Sequence, residues 1–412
     1  MRLVVAFLAG IALVSTTSAW WLEDYGFDAI SEDGKGVVIA VIDTGIDTSH
    51  PDLAGKVIDG VDFSGVGNPS GTAPVGESYF HGTMVASLIV GQGLITGGVQ
   101  GVSPGAQLLS ISIGLGVSGA DTDAQIAKGV RWAVDHGADI INLSLSRNSR
   151  TWPKSWDEAF VYAFENDVVV VAASGNRSDG SNRPSAPATM PGVISVGGVD
   201  SSGVASESAS SEGLGIVLTA PAEALLGSFP GGEVRSWSGS SAAAPIVSGL
   251  VALMMEKDPE ATASDIALRL TSTTTDLGEP GFDGLYGYGL INPVAAMAST
   301  GTTNLNPLGS LSEWVRLYRP SQAESLDGQN SLILPEEPAP LDAENSSPRP
   351  TSFLNTSTGL SQVQQLALNP LLYWLLSPLA PLLWIALRRR RKRASRANDQ
   401  TKVSRQNDSR DH

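Results

Sequence analysis

The stretch GVVIAVID, Gly36 to Asp43, decides the fold. Its first seven residues form an unbroken apolar run rich in Val and Ile. A strand with one wet face alternates polar and apolar residues; an unbroken run suits a strand covered on both faces, as in a parallel sheet. The runs QLLSISI (Gln107–Ile113), ADIINLSL (Ala138–Leu145), DVVVVAA (Asp167–Ala173) and GVISVGGV (Gly192–Val199) read the same way. Helical patterns lie between them: TMVASLIV (Thr83–Val90), TDAQIAKGVRWAVDHG (Thr122–Gly137) and KSWDEAFVYAFEN (Lys154–Asn166). The expected architecture is α/β in three layers, with a mostly parallel central sheet and helices on both faces.

Ligands of such sheets bind beyond the carboxyl ends of the strands. Two runs end there in polar residues. Asp43 directly follows the first, and Asn176 closes VVVVAASGN just past the fourth. Taken singly, each also reads as a turn residue.

A third segment, GSSAAAPIVSG (Gly239–Gly249), heads an apolar run that continues to Met255 and reads as a buried helix. Proline is tolerated in a helix's first turn, so the start is expected near Ser241 or Ala242. The serine there is either an N-cap or a nucleophile placed where unpaired N–H groups favour negative charge.

Composition narrows the chemistry. The chain has no cysteine, which excludes disulfides, thiolate catalysis and zinc–thiolate sites. It has four histidines: His50, His81, His136 and His412. His50 lies in a turn-like stretch, His136 between a helix and a strand, and His412 at the end. His81 stands just before an apolar helix, in FHGTMVASLIV. An acid after a strand, a histidine before a helix and a serine at a helix head thus follow in the order Asp43, His81, Ser241. Asp…His…Ser is one of the known orders of the serine-protease triad.

The surrounding blocks carry a resemblance. VIDTGID, HGTMVA and GSSAAAP are similar to the three active-site blocks of the subtilisin-like serine proteases, the subtilases. SHPDL, GVSPGAQL, INLSL, AASGN and the closing YGYGLINPVAA resemble further segments of that family, in its order. The resemblance covers about Gly36 to Thr300. It implies a subtilisin-like fold and a serine endopeptidase acting on polypeptides. Ser241 would be the nucleophile, His81 the base and Asp43 its partner, with Asn176 and the Ser241 N–H binding the oxyanion. The segments Ser144, Leu145, Ser146 and Ala173, Ser174, Gly175 would line the pocket for the residue before the cut. Arg177, next to Asn176, is expected to disfavour basic residues there. Ser146 stands where the family usually has glycine. No cofactor is implied. The loop GQGLITGGVQG lacks the asparagines of the family's frequent calcium loop, so no metal is expected.

The two ends suggest a membrane topology. One arginine, an apolar stretch from Leu3 to Val14 and small residues to Ala19 have the layout of a signal peptide, 1–19. The peptidase domain is expected over 20–301, and a Ser/Pro/Asn/Glu-rich stalk over 302–365, in which LSEWVRLY is a candidate ordered piece. An apolar segment, 366–387, reaches spanning length and is followed by RRRRKR and a basic tail, 388–412. From Arg388 on there are ten Lys/Arg against three Asp/Glu; Trp20 to Leu387 has fifteen against thirty-nine. An acidic body is not built to bind nucleic acid. The expectation is a single-pass cell-membrane protein with its catalytic domain outside the cytoplasm and its tail inside. Oligomeric state is not legible. This layout resembles that of the mycosins of actinobacterial secretion systems, with the difference that cysteine is absent. The alternative is a catalytically silent, membrane-tethered binding protein on the same fold.

Overall fold

The computed structural model describes residues 20–94 and 97–319. The expected signal peptide, membrane segment and basic tail, and the stalk from 320 on, lie outside the described residues. Among the described residues no helix is long and apolar enough to cross a membrane.

The elements follow in chain order as α1 (Trp20–Asp24), β1 (Val38–Asp43), β2 (Val57–Asp62), α2 (His81–Val90), β3 (Gln107–Ser112), α3 (Thr122–Asp135), β4 (Ile140–Leu143), α4 (Lys154–Glu165), β5 (Val169–Ala173), β6 (Ile194–Val199) and β7 (Leu218–Pro221). After these come β8 (Leu225–Phe229), β9 (Glu233–Trp237), α5 (Ser240–Lys257), α6 (Ala263–Ser272), α7 (Pro293–Ala298) and α8 (Leu311–Tyr318). Seven strands form one sheet in the order β2-β3-β1-β4-β5-β6-β7, with every neighbouring pair parallel. β8 and β9 make a separate antiparallel hairpin.

The unbroken apolar runs are divided between two cores by the strand's period of two. Ile39 and Val41 of β1, with Val169 and Val171 of β5, pack in a cluster with α2 and α5. Val38, Ala40 and Ile42, with Val170 and Ala172, pack in a second cluster with α3 and α4. Helix α5 is buried from Ala242 to Met255. Burial of side chains such as Ile246 and Leu250 is worth about 1.5–3 kcal/mol each, so the segment behind Ser241 is firmly seated.

Strand order reverses at β1: β2 and β3 lie to one side and β4 to β7 to the other. The crevice at such a reversal is where an α/β sheet binds ligands. Here it opens beyond the ends of β1, β4 and β5.

Helix α8 packs onto α4 and extends the ordered fold past the boundary near Gly301 that composition suggested. Leu311 is buried, and the Trp314 and Trp152 rings lie 4.6 Å apart. Arg319 pairs with the buried Asp157 at 2.9 Å and donates to the Trp152 carbonyl at 2.7 Å.

Candidate active site

Asp43 ends β1 and is 1% exposed. His81 is the first residue of α2, and its Nδ1 lies 2.9 Å from both Asp43 carboxylate oxygens. Nδ1 therefore carries the proton, and Nε2 is left to accept one. Thr44 braces the pair: its N–H donates to Asp43 Oδ1 at 2.7 Å, and its hydroxyl accepts from the Gly82 N–H at 3.0 Å. A Cβ on Gly82 would meet the Gly45 carbonyl at 2.5 Å, so glycine lets α2 come this close to the loop after β1. Burial opposes charge on the imidazole, but the Asp43 carboxylate and its hydrogen bond outweigh it. The His81 pKa lies above the ordinary histidine value.

Ser241 is the second residue of α5, which begins at Ser240. Neither serine is an N-cap. That position is held by Gly239, at φ 150°, where a Cβ would sit 3.3 Å from Asn176 Nδ2. Pro245 therefore stands in the second turn rather than the first. Its missing N–H would have bonded the Ser241 carbonyl. The Ser144 hydroxyl does so instead, at 2.9 Å. The Ser241 hydroxyl in turn donates to the Ser144 carbonyl at 3.0 Å. Asn142 anchors this clamp, donating to Ser144 Oγ at 3.0 Å and accepting from Ser248 of α5 at 2.9 Å.

Asn176 follows β5. Its Oδ1 accepts from the Ser240 N–H at 2.8 Å and the Ser240 hydroxyl at 2.9 Å, which fixes the orientation of the amide. Its Nδ2 donates to Asp179 at 2.8 Å. The Ser241 N–H lies in the first turn of α5, where helical geometry supplies no partner.

These groups meet at one cleft of about 360 Å³. His81, Ser241, Asn176, Ser144, Leu145, Ser146, Ala173 and Gly175 line it. Asp43 sits behind His81. Ser174 does not reach the cleft. Side chains alternate along extended backbone, so Ser174 points the other way from its neighbours and is fully buried, with its hydroxyl on the Gly175 carbonyl. Arg177 does not line the cleft either. Its guanidinium is held by the Ser206 and Glu207 carbonyls and by the Glu212 carboxylate, at 2.8, 3.1 and 3.0 Å. The expected repulsion of basic residues by Arg177 therefore has no basis.

The subtilase family model matches residues 34–289, more than half of the chain. The chain belongs to the subtilase family. It is a serine endopeptidase. Subtilisin DY of Bacillus licheniformis is 38% identical over 282 residues, covering 66% of this chain and 97% of that one. Among solved structures, fervidolysin from Fervidobacterium pennivorans, a keratinolytic enzyme related to subtilisin, matches with a TM-score of 0.60 and 32% identity, over 70% of this chain and 47% of its own. The prenylagaramide maturation protease PagA matches with a TM-score of 0.55 and 26% identity, over 68% of this chain and 98% of its own. The subtilase domain here places residues in the cleft that the sequence did not single out. Leu115, Gly116, Asn148, Asp179 and Ser181 line it. Trp237, at the end of β9, meets the His81 ring edge-on at 5.5 Å between centroids. The spacing of Asp179, three residues after Asn176, is one turn of helix and was the available signal.

His50 is fully buried and structural. Its Nε2 lies 2.9 Å from the Glu233 carbonyl and its Nδ1 accepts from the Asp52 N–H. The Asp52 carboxylate is taken up by the Leu94 and Val99 N–H groups and the Ser228 hydroxyl. Among the described residues no group of three or more His, Asp or Glu is arranged to hold a metal ion.

Proposed function

We propose that Asp43, His81 and Ser241 are the catalytic triad of this endopeptidase and that Asn176 donates to the oxyanion. The observation that carries the reading is the double contact of His81 Nδ1 with Asp43, in a cleft shared with Ser241 and Asn176. Ser241 leaves the Ser144 carbonyl by a side-chain rotation and turns its hydroxyl to His81 Nε2. His81 takes the proton as Ser241 Oγ attacks the scissile carbonyl carbon. Asp43 stabilises the resulting imidazolium without taking its proton. The carbonyl oxygen becomes an oxyanion between the Ser241 N–H and Asn176 Nδ2. His81 then protonates the leaving amine, and water repeats the cycle on the acyl-enzyme. One side-chain oxyanion donor, measured in a subtilisin, is worth about 3–4 kcal/mol of barrier. Hydrolysis of a mixed peptide library tests this: Ser241→Ala and His81→Ala should each abolish cleavage while the protein stays folded. Undiminished cleavage by either variant would sink the assignment and favour another nucleophile.

The same reading includes a membrane anchor. Its support is the apolar segment 366–387 followed at once by RRRRKR. The catalytic domain would then work outside the cytoplasm on polypeptide substrates. Membrane fractions washed with alkaline carbonate should retain the full chain and release one truncated before residue 366. Release of both would remove the anchor from the account.

A further inference from the structure

Arg177 is turned away from the cleft, so the charge there is set by what remains. Of the residues lining it, the ionisable ones are His81 and Asp179; no lysine or arginine is among them. Asp179 is held in place by a short turn. Arg177–Asp179 is a single 3-10 turn, with the Asp179 N–H on the Asn176 carbonyl at 3.1 Å. Gly180, at φ 87°, and the Ser181 N–H, on that same carbonyl at 3.0 Å, close the turn. The carboxylate is thereby laid over the Asn176 amide, its Oδ2 2.8 Å from Nδ2. The nearby walls are Ser146, Ala173, Gly175 and Ser181, all small.

We propose that Asp179 makes this cleft select lysine or arginine at the residue whose carbonyl Ser241 attacks. The inference rests on the triad reading above. The stem of such a side chain would lie along Leu145, Ala173 and Gly175, as amphipathic side chains do, and its cation would meet the Asp179 carboxylate. Asp179 accepts one of the two Asn176 Nδ2 hydrogens, and the other is left for the oxyanion. A basic side chain therefore gains in binding, whereas a glutamate there faces the Asp179 carboxylate and is repelled.

The test is a set of otherwise identical peptides carrying Lys, Arg, Leu or Glu at that one position, given to the full-length protein and to Asp179→Asn and Asp179→Lys. Asp179 is exposed, and an exposed ion pair is worth up to about fivefold. Lys and Arg peptides should exceed the Leu peptide about threefold to fivefold in kcat/KM, and the Glu peptide should be poorest. Asp179→Asn should bring the Lys-to-Leu ratio close to one, and Asp179→Lys should invert the order toward Glu. Equal or better cleavage of the Leu or Glu peptide by the unmodified protein would overturn the proposal. So would an unchanged Lys-to-Leu ratio in Asp179→Asn. Calorimetry on Ser241→Ala gives a readout without turnover: the Lys peptide should bind about threefold to fivefold more weakly once Asp179→Asn is added, and equal binding counts against the proposal. If no peptide is cleaved and Ser241 does not react with a fluorophosphonate, the triad reading fails and takes this inference with it. If Leu peptides are cleaved without a basic preference, only the role of Asp179 fails.

Discussion

Replacing Ser144 by alanine should loosen the nucleophile's helix, and Pro245 should decide by how much. The Ser144 hydroxyl supplies the donor that Pro245 lacks, bonding the Ser241 carbonyl at 2.9 Å, and accepts from Asn142 Nδ2 at 3.0 Å. Ser144→Ala strands both groups, and Asn142 is fully buried. A buried polar group left unpaired costs about 1–3 kcal/mol, and two in one network do not add fully. The expected loss is about 3 kcal/mol. Pro245→Ala restores an N–H four residues after Ser241, so in that background the carbonyl keeps a partner. The same Ser144→Ala change should then cost less by about 1 kcal/mol. Urea unfolding of the four proteins of this cycle measures both figures. All four should carry Ser241→Ala to prevent self-digestion, which leaves the Ser241 backbone carbonyl in place. The reasoning is refuted if Ser144→Ala costs under about 0.5 kcal/mol, or costs the same with and without Pro245.

Other outcomes follow from the same geometry. On the proposed oxyanion role, Asn176→Ala should lower kcat about 10²–10³-fold with KM little changed, because the amide would act on the oxyanion rather than on the bound ground state; steady-state kinetics on one good peptide reads this. In the proposed mechanism His81 must be neutral to accept the Ser241 proton, and its pKa is raised by Asp43 against the opposing effect of burial. Activity should therefore fall with decreasing pH through a value above the ordinary ~6.5 of histidine. Asp43→Asn should move that acid limb to lower pH and reduce kcat by about 10⁴; a pH–rate profile whose limb does not move contradicts the pairing. Arg319→Met should cost about 2 kcal/mol in urea unfolding, since it strips the buried Asp157 of its cation.

Much of this was legible in the sequence because the sheet is covered on both faces. Unbroken runs such as Val37–Ile42 and Val168–Ala173 have no alternation to mislead, and the strands they predict are β1 and β5. β2 was not legible. Its sequence, VIDGVD, places aspartates in a half-buried strand at the sheet's edge, and its partner β3 supplies what local pattern does not. The hairpin β8–β9 was missed for a similar reason, as GSF and EVRSW look like loop until paired. The candidates Asp43, His81, Asn176 and Ser241 each stand at or just past an element's end, which is why the sequence singles them out, and the structure brings them together. Ser174 and Arg177 were misplaced because facing depends on local backbone direction, which proximity in sequence does not give. Pro245 was expected in the first turn, where a proline costs no helical hydrogen bond; it stands in the second, where it costs one. A serine 101 residues earlier in the chain, Ser144, replaces it.

The central claim is that Ser241 is an activated nucleophile. The most direct measurement is treatment of the folded protein with a fluorophosphonate, followed by intact mass and peptide mapping. The account predicts a single adduct on Ser241 that disappears in His81→Ala and is absent from Ser241→Ala. A folded protein that takes up no label, or one labelled equally well without His81, would contradict it.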